Sequence, residues 1–338
     1  MLRAVNDALA PADSRGLRGV TCLVTGGYGF IGANLVHRLV AAGADVRVVD
    51  ALVGGHGGTP HNLSGLDAVD RLEARIGDPA VAQLVEGAEL IFNVAGQVSH
   101  TASMRDPIAD LELNAIDHAR FLETVRRVNP TARIVHASTR QVYGRAERLP
   151  ADETVAAHPV DVNGVAKLAG EKLHMVYSQA FGIRSTALRL TNTYGPRQRL
   201  SSDELGVLPV FVRKVLRGEP IEIFGDGSQR RDCLFVDDVV DALLAGTADQ
   251  AAGRTYNVGH HTDHSLADIA VTMVAVAGSV SEVRLVPWPD AHAQVDIGSF
   301  TTDSSRIADE LGWKAQVDLT DGLRATFDFY RQQPAYWQ

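Results

Sequence analysis

Residues Val20 to Gly32 read V-T-C-L-V-T-G-G-Y-G-F-I-G. A β-branched run (Val20, Thr21, Val24, Thr25) stops at paired glycines, and an apolar helical spacing of Ile31, Leu35 and Leu39 begins beyond them. Strand, glycine turn and helix in that order form the context in which such a motif binds a dinucleotide. Gly26 permits the tight turn, Gly29 lets a pyrophosphate approach the backbone, and Gly32 lets the helix pack closely on the strand. The unpaired N–H groups and positive dipole end of the helix then face the phosphates. The plainer reading is a glycine turn with no ligand, and the next strand argues against it.

That strand, Asp45 to Asp50 (D-V-R-V-V-D), closes on a carboxylate about twenty residues past the last glycine, where an acid binds the adenosine ribose diol. A carboxylate repels a 2′-phosphate, and Ala51-Leu52 supplies no arginine in its place, so the sequence favours NAD over NADP.

The chain has 338 residues, enough for about two domains, and is 45% hydrophobic, as soluble α/β proteins are. A net charge of −9 without a basic block argues against nucleic acid as a partner. No apolar run reaches the ~18 residues of a membrane span. Residues 1–18 show no signal-peptide pattern and read as an N-terminal extension. Cys22 and Cys233 read as separate core residues, which fits a reducing cytoplasm. The histidines of the Val53–Gly65 loop, His56 and His61 among them, are too irregularly spaced for a metal site, and none is expected.

Further strands are predicted at Leu72–Ile76, Leu90–Ala95, Ile134–Ala137 and Ser185–Leu190, with a helix from Gly77-Asp78 to Glu86 and others over Asp110–Val128 and Val162–Phe181. Alternation at this spacing implies parallel strands with right-handed crossovers, an α/β doubly wound Rossmann sheet. The rhythm breaks near Gly195-Pro196 and resumes with a helix at Asp237–Ala245 and a strand at Thr255–Val258. The expected organisation is a cofactor domain of residues 19–195 plus about 236–262. A smaller, interleaved C-terminal substrate domain takes 196–235 and 263–338.

The ordered landmarks T-G-G-Y-G-F-I-G, Asp50, Gly77-Asp78, Asn93-Val94-Ala95-Gly96, Asn114, Ser138-Thr139, Tyr143-Gly144, Lys167, Arg189, Asn192–Pro196, Arg231-Asp232, Val236–Val239 and Leu311-Gly312-Trp313 span nearly the whole chain. In this the chain resembles the extended short-chain dehydrogenase/reductases, specifically the NAD-dependent nucleotide-sugar epimerase/dehydratase family. The resemblance implies that Gly26, Gly29, Phe30, Ile31, Asp50, Asp78, Ala95 and Gly96 hold NAD, with Asp78 by the adenine and Lys167 on the nicotinamide ribose. It implies a nucleotide-diphosphate sugar against Gln97, Arg140, Asn192 and Arg231, with Ile223 and Phe224 beside the base. It also implies a homodimer through the Asp110–Val128 and Val162–Phe181 helices. Arg231 could instead serve as an ion-pair partner of Asp232 or Asp237.

One departure is central. The family's proton chemistry uses Y-x-x-x-K, and the corresponding segment here is Asn163-Gly164-Val165-Ala166-Lys167. An amide cannot serve as the base. Three readings stay open: a different base (Lys167, a histidine such as His100 or His158, Tyr143, or a relayed water); an Asn163 that orients the sugar while Thr139 passes the proton to solvent; or a nucleotide-sugar-binding protein with little turnover.

Thr139 matches the family's Ser/Thr that holds the reacting hydroxyl. Where the 4,6-dehydratases carry an Asp-Glu pair, this chain has Arg140 and Gln141, so the resemblance implies epimerisation, at C4, in place of water loss. Arg140 could equally bind an anionic sugar such as a uronic acid, or sit in a structural ion pair. Near the C-terminus the diphosphate-binding arginine before the motif's Asp is missing. Aligning Asp303 with the later Asp puts Asp296 and Ala293 there, with His292 or Arg284 as substitutes.

Overall fold

A computed structural model describes residues 16–54, 57–201, 206–288 and 297–337. The expectations for residues 1–15, His56, His292, Ala293 and Asp296 lie outside the described residues.

Strand β1 (Thr21–Thr25) is buried and runs directly into the glycine turn. Helix α1 (Phe30–Ala41) follows and presses Ala33, Leu35, Val36 and Leu39 onto the sheet. Strands β2 (Asp45–Asp50), β3 (Asp70–Glu73), β4 (Leu90–Asn93), β5 (Arg133–Thr139) and β6 (Arg184–Leu190) join it, with β11 (Thr255–Val258) at the far edge. They form a seven-stranded sheet in the order β3-β2-β1-β4-β5-β6-β11, and every neighbouring pair is parallel. The order reverses between β1 and β4, and ligands of open α/β sheets bind in the crevice at such a reversal.

Both faces are covered, as parallel sheets require. On one face α1 packs with α8 (Val236–Ala245) and α10 (Ser305–Leu311), whose Ile307 shares a core with Trp313, Leu35 and Val239. The other face carries α2 (Ala82–Val85), α5 (Asp117–Val128) and α6 (Val162–Phe181), meeting at Val85, Phe121, Leu122 and Leu173. A further core lies away from the sheet, where α7 (Val207–Arg217), α9 (Leu266–Ala277) and α11 (Leu319–Gln332) enclose Phe211, Ile223, Met273 and Phe327. Its strand β8 (Ile221–Phe224) pairs in parallel with β13 (Val283–Val286). The chain reaches that core through β7 (Asn192–Tyr194) and returns through β9 (Arg230–Arg231) and β10 (Cys233–Phe235), with β12 (His264–Ser265) antiparallel to β9.

Three elements differ from the sequence expectation: the helix expected from Gly77-Asp78 to Glu86 is a 3-10 turn at Pro79–Val81 followed by the four-residue α2, and the other two are β3 and the helix from Asp110. Strand β3 starts two residues earlier and ends at Glu73, because it is an edge strand paired only with β2 and shows mostly exposed side chains. The helix expected from Asp110 is preceded by α3 (His100–Arg105) and α4 (Pro107–Leu111), and it passes through a π turn at Glu112–Ile116 before α5. Such turns insert one residue into the ladder and frequently occur at functional sites. Both cysteines are free and buried, and burial pushes each thiol up to about 12. Among the described residues no helix is long and apolar enough to cross a membrane.

Candidate functional site

The glycine turn is built to be approached. Gly26 sits at φ +69°, and a Cβ there would lie 2.8 Å from Ala95 Cα at the end of β4. Gly29 is the N-cap of α1 and offers no side chain to the free N–H groups behind it, which leaves them for an anion. Phe30 and Ile31 open the helix half-buried. At the tip of β2, Asp50 accepts from the amides of Tyr28 (3.0 Å) and Leu52 (2.9 Å), and burial lifts its carboxyl above the ordinary range. One cavity joins Gly26, Gly29 and Asp50 to Ile76, Ala95, Gly96 and Gln97. This cradle, with an acid at the ribose position and glycines at the phosphate position, fits NAD. Asp78 stands aside from that cavity. Its carboxylate caps its own turn by accepting from Ala80 N at 2.8 Å, and Arg75 and Asp117, ion-paired at 2.6 Å, line the cavity instead.

Deeper in the crevice, Gly96 has φ +152°, a conformation that residues with side chains rarely adopt, and a Cβ there would meet Lys167 Nζ and the Asn114 side chain. Lys167 is buried, and burial lowers its ammonium to about 8 against the pull of Asp110. Asn163, one turn earlier on α6, is fully enclosed. Its amide nitrogen donates to Asp110 Oδ1 (2.9 Å), Gln97 Oε1 (3.0 Å) and the Gln97 carbonyl (3.1 Å). Asn114, on the π turn, closes the same network by accepting from Gln97 N at 3.0 Å and donating to Asp110 Oδ1 at 3.2 Å. Asn163 is therefore part of the crevice floor, and Gln97 is held with it.

Thr139 ends β5, half-exposed, and its hydroxyl oxygen accepts from Gln141 N at 3.2 Å. Beneath it a buried chain fixes the strand. Ser138 donates to Glu171 (2.6 Å), Arg189 grips the same carboxylate (2.6 and 2.9 Å) and donates to Tyr143 Oη (2.8 Å), and Tyr143 donates to Asn257 (2.7 Å). Beside Thr139, His100 Nδ1 is hydrogen-bonded to Asp161 Oδ2, and His100 Nε2 lies 2.7 Å from the Gln141 side-chain amide. Asp161 is the N-cap of α6 and also accepts from Gly164 N at 2.7 Å. Burial pushes its carboxyl up, but His100 and Gly164 outweigh that and hold it below the ordinary range.

Past Thr139 the site turns cationic. Arg140 donates to Asn192 Oδ1 at 3.1 Å and lies over the Phe300 ring, 5.2 Å from its centroid. Arg140 Nη1 and Asn192 Nδ2 are buried donors with no partner among the described residues. Burial and the neighbouring Arg231 charge push the Arg140 guanidinium down to about 10. Arg231 donates to the carbonyls of Arg230 (2.8 Å) and Gly298 (2.6 Å), and Asp232 accepts from Thr191 Oγ1 (2.6 Å) and Thr302 N (3.1 Å). Arg140 Nη1, a buried guanidinium donor without a partner among the described residues, with the Arg231 charge beside it, describes a place for an anion. Of the pair expected beside a base, Ile223 points into the core around α9, whereas Phe224 is half-buried against Trp288 at 5.5 Å.

The NAD dependent epimerase/dehydratase family matches residues 22–259. The chain belongs to that family. It is 32% identical to a UDP-glucose 4-epimerase of Mycolicibacterium smegmatis, over 92% of this chain and 98% of the relative. It is 31% identical to a dTDP-glucose 4,6-dehydratase of the same organism, over 94% and 95%. Its fold superposes on a UDP-glucose 4-epimerase of Thermotoga maritima, solved with UDP-glucose, at a TM-score of 0.84, with 30% identity over 93% and 99% of the two chains.

As a member of this NAD-dependent epimerase/dehydratase family, the chain uses NAD. One cavity brings together Gly26, Gly29, Asp50, Ala95, Gly96 and Gln97; Asn163 and Lys167 back it through Gln97 and Gly96, and Arg140 and Asn192 are joined to each other next to Thr139. It leaves Asp78 and Ile223 turned away. Of the bases weighed from sequence, Tyr143 is committed to Asn257 and Arg189 with its pKa raised by burial, and His158 is exposed on the loop behind Gly144. Sequence reading missed Asp110 and Asp161. The second left a signal, since an aspartate directly before a helix is a strong N-cap.

Proposed function

We propose that this protein epimerises a nucleotide-diphosphate sugar at C4, by oxidation and re-reduction of one hydroxyl with the cofactor regenerated in place. The observation that carries the reading is the turn after Thr139. Arg140 and Gln141 offer no carboxylic acid to expel water, and the nearby Asp161 is engaged by His100 and Gly164. NAD, when bound, accepts a hydride from the sugar carbon and returns it. Thr139 Oγ1 holds the reacting hydroxyl, and the Lys167 ammonium holds the nicotinamide ribose. Arg140, Asn192 and Arg231 take the diphosphate, and Phe224 faces the base. Asn163, enclosed beneath Gln97, supports the floor without meeting the sugar. UDP-glucose, the sugar nucleotide named for the two similar epimerases, is the first substrate to try.

A dehydratase or oxidoreductase with net redox change is the second reading, favoured by the near-equal similarity to the dTDP-glucose 4,6-dehydratase. Incubation with a panel of UDP- and dTDP-sugars, followed by NMR of the products, separates them. A C4 epimer without accumulated NADH is expected. A 4-keto-6-deoxy product, lasting NADH or binding without product overturns epimerisation.

We further propose that residues 196–235 and 263–338 chiefly serve the substrate, that the setting is cytoplasmic, and that two copies pair through α5 and α6. Ile108, Ile116, Val165 and Val176 remain exposed along those helices and the turns before them, which supports an apolar seam there. Size-exclusion chromatography with light scattering tests it, and a monomer would overturn it.

A further inference from the structure

The crevice lacks the family's phenol, so some other group must take the proton of the sugar hydroxyl, and the candidates can be sieved by geometry. Asn163 has no lone pair of useful basicity, and its nitrogen is bound three times over. Tyr143 is enclosed and already donating to Asn257. His118, His136 and His174 are buried together under β4 and β5 with Asn93 between two of them at 3.1 Å. All three side chains are fully buried, so none meets a substrate directly. Nor do they suit a metal ion, although one ring nitrogen of each lies within 4.8 Å of the others. The His136 and His174 rings stack at 4.3 Å with planes 9° apart, so their in-plane lone pairs run parallel and do not converge on one ion.

His100 is different. It starts α3, its side chain is 37% exposed, and it stands beside the Thr139 turn. Asp161 accepts the Nδ1 proton, which fixes the tautomer and leaves Nε2 as the basic nitrogen. That nitrogen faces Gln141, two residues from Thr139, whose amide N–H fills its lone pair at 2.7 Å. Asp161 is itself fixed at the head of α6 by Gly164 N, and Ser103 ties the two helix starts together by donating to the His100 carbonyl (2.7 Å) and accepting from Asn163 N (3.2 Å). A carboxylate, an imidazole and a displaceable amide thus form one hydrogen-bonded chain, and the amide belongs to a residue two positions past Thr139, whose own backbone N–H bonds the Thr139 hydroxyl.

We propose that His100, aligned by Asp161 and released from Gln141 when the sugar enters, takes the proton of the reacting hydroxyl. The inference rests on the oxidation step of the function proposed above. In that step the O–H proton passes to Nε2, the C–H hydrogen leaves with its electron pair to NAD, and the C=O bond forms. On return, the imidazolium gives the proton back to the alkoxide. Asp161 acts as a positioning residue that stabilises the imidazolium.

The test uses the NAD-loaded enzyme with whichever nucleotide sugar the wild type converts. His100→Gln keeps a side chain that can bond Asp161 but removes the base. Its kcat should fall by about a hundredfold or more, with NAD content unchanged and KM within about threefold. Asp161→Asn retains a good N-cap while offering an amide in place of the carboxylate, and it should lower kcat with KM unmoved. Wild-type kcat in His100→Gln overturns the assignment. A parallel rise in KM with an unchanged kcat in Asp161→Asn would make Asp161 merely structural and overturn the dyad. If the wild type oxidises the sugar without inverting it, the epimerase reading fails and the base is still tested, because oxidation of that hydroxyl needs the same acceptor.

Discussion

Asn163 Nδ2 lies 2.9 Å from Asp110 Oδ1, and both side chains are buried. The pair bridges α6 to α4 and holds Gln97 and, through Asn114, the wall of the crevice in place. Asn163→Ala should therefore act on stability. Asp110 and Gln97 would lose a donor inside the protein, which costs about 1–3 kcal/mol. The expected result is a lower urea midpoint, with residual turnover once NAD is saturating. Asn163→Tyr places a ring into this enclosed volume and should lose activity. A gain of epimerase activity on introducing the phenol would show that asparagine is an impairment.

The glycine turn separates cofactor binding from folding. A Cβ on Gly29 would meet only the Gly26 carbonyl oxygen, at 3.1 Å, whereas one on Gly32 would lie 2.9 Å from both Gly26 C and Gly27 Cα. Gly29→Ala should fold with apo-protein stability within about 1 kcal/mol of wild type, yet place a methyl where the pyrophosphate approaches. Its NAD affinity, read by calorimetry, should fall at least about tenfold, a loss of about 1.4 kcal/mol. Gly32→Ala should lose stability as well, because α1 must retreat from β1. Equal NAD affinity in Gly29→Ala would remove the pyrophosphate from this turn.

These contrasts bear on what the sequence could reveal. Helix α6 has the bounds expected from the sequence, and the structure shows what sets them: Asp161 caps the first turn, and Gly182 closes the last at φ +70°. The cofactor turn was legible in the sequence because its strand, glycines and helix are close neighbours along the chain, whereas Thr139 and Lys167 were expected only through the family resemblance. Strand β3 was misplaced because its side chains are mostly exposed and carry no alternation. The π turn at Glu112–Ile116 was missed because a slipped ladder leaves the apolar spacing nearly unchanged. The pairing of His100 with Asp161 joins residues 61 apart, and that of Arg140 with Asn192 joins residues 52 apart. Such contacts are set by how the sheet brings loop ends together, which no local pattern encodes.

Arg140 offers a sharper reading of the substrate. Its Nη1 is a buried donor without a partner among the described residues, and burial together with the Arg231 charge nearby makes the guanidinium costly. An arriving anion removes that cost. Arg140→Gln should raise KM for a nucleotide-diphosphate sugar by about tenfold or more with little change in kcat. The free variant should be no less stable than wild type by thermal unfolding. If KM rises for a carboxylated sugar nucleotide but not for its neutral counterpart, Arg140 contacts the sugar carboxylate in place of the diphosphate.

The buried histidines set the acid limit of the fold. His118 and His136 are held well below the ordinary imidazole value of 6.5 by burial and the charges of His174 and Lys167, and burial takes His174 to about 3. On α1, burial and the Arg197 charge lower His37 to about 4. In the unfolded chain all four take up protons below 6.5, while in the folded protein they stay neutral, so the unfolded state binds more protons and stability falls as pH drops. Each contributes up to about 1.4 kcal/mol per pH unit. Asp232 and Asp238 oppose them. Burial lifts both to about 6, so between about 4 and 6 the folded state holds protons that the unfolded state has lost, and acid favours folding through these two groups. Burial raises Asp50, Glu153, Asp237 and Asp241 in the same direction. But His260 is lowered by burial, and Glu123, Asp152, Asp161, Glu222, Asp226 and Glu310 are held below the ordinary range, so the groups that lose stability in acid outnumber those that gain it. The urea-unfolding free energy of the apo-protein should therefore decline steadily from about pH 6.5 downward. His136→Phe, which keeps a flat ring against His174 and removes one titrating group, should lower that slope by about one proton. An unchanged slope in His136→Phe would mean that His136 is already protonated, or solvated, in the native fold.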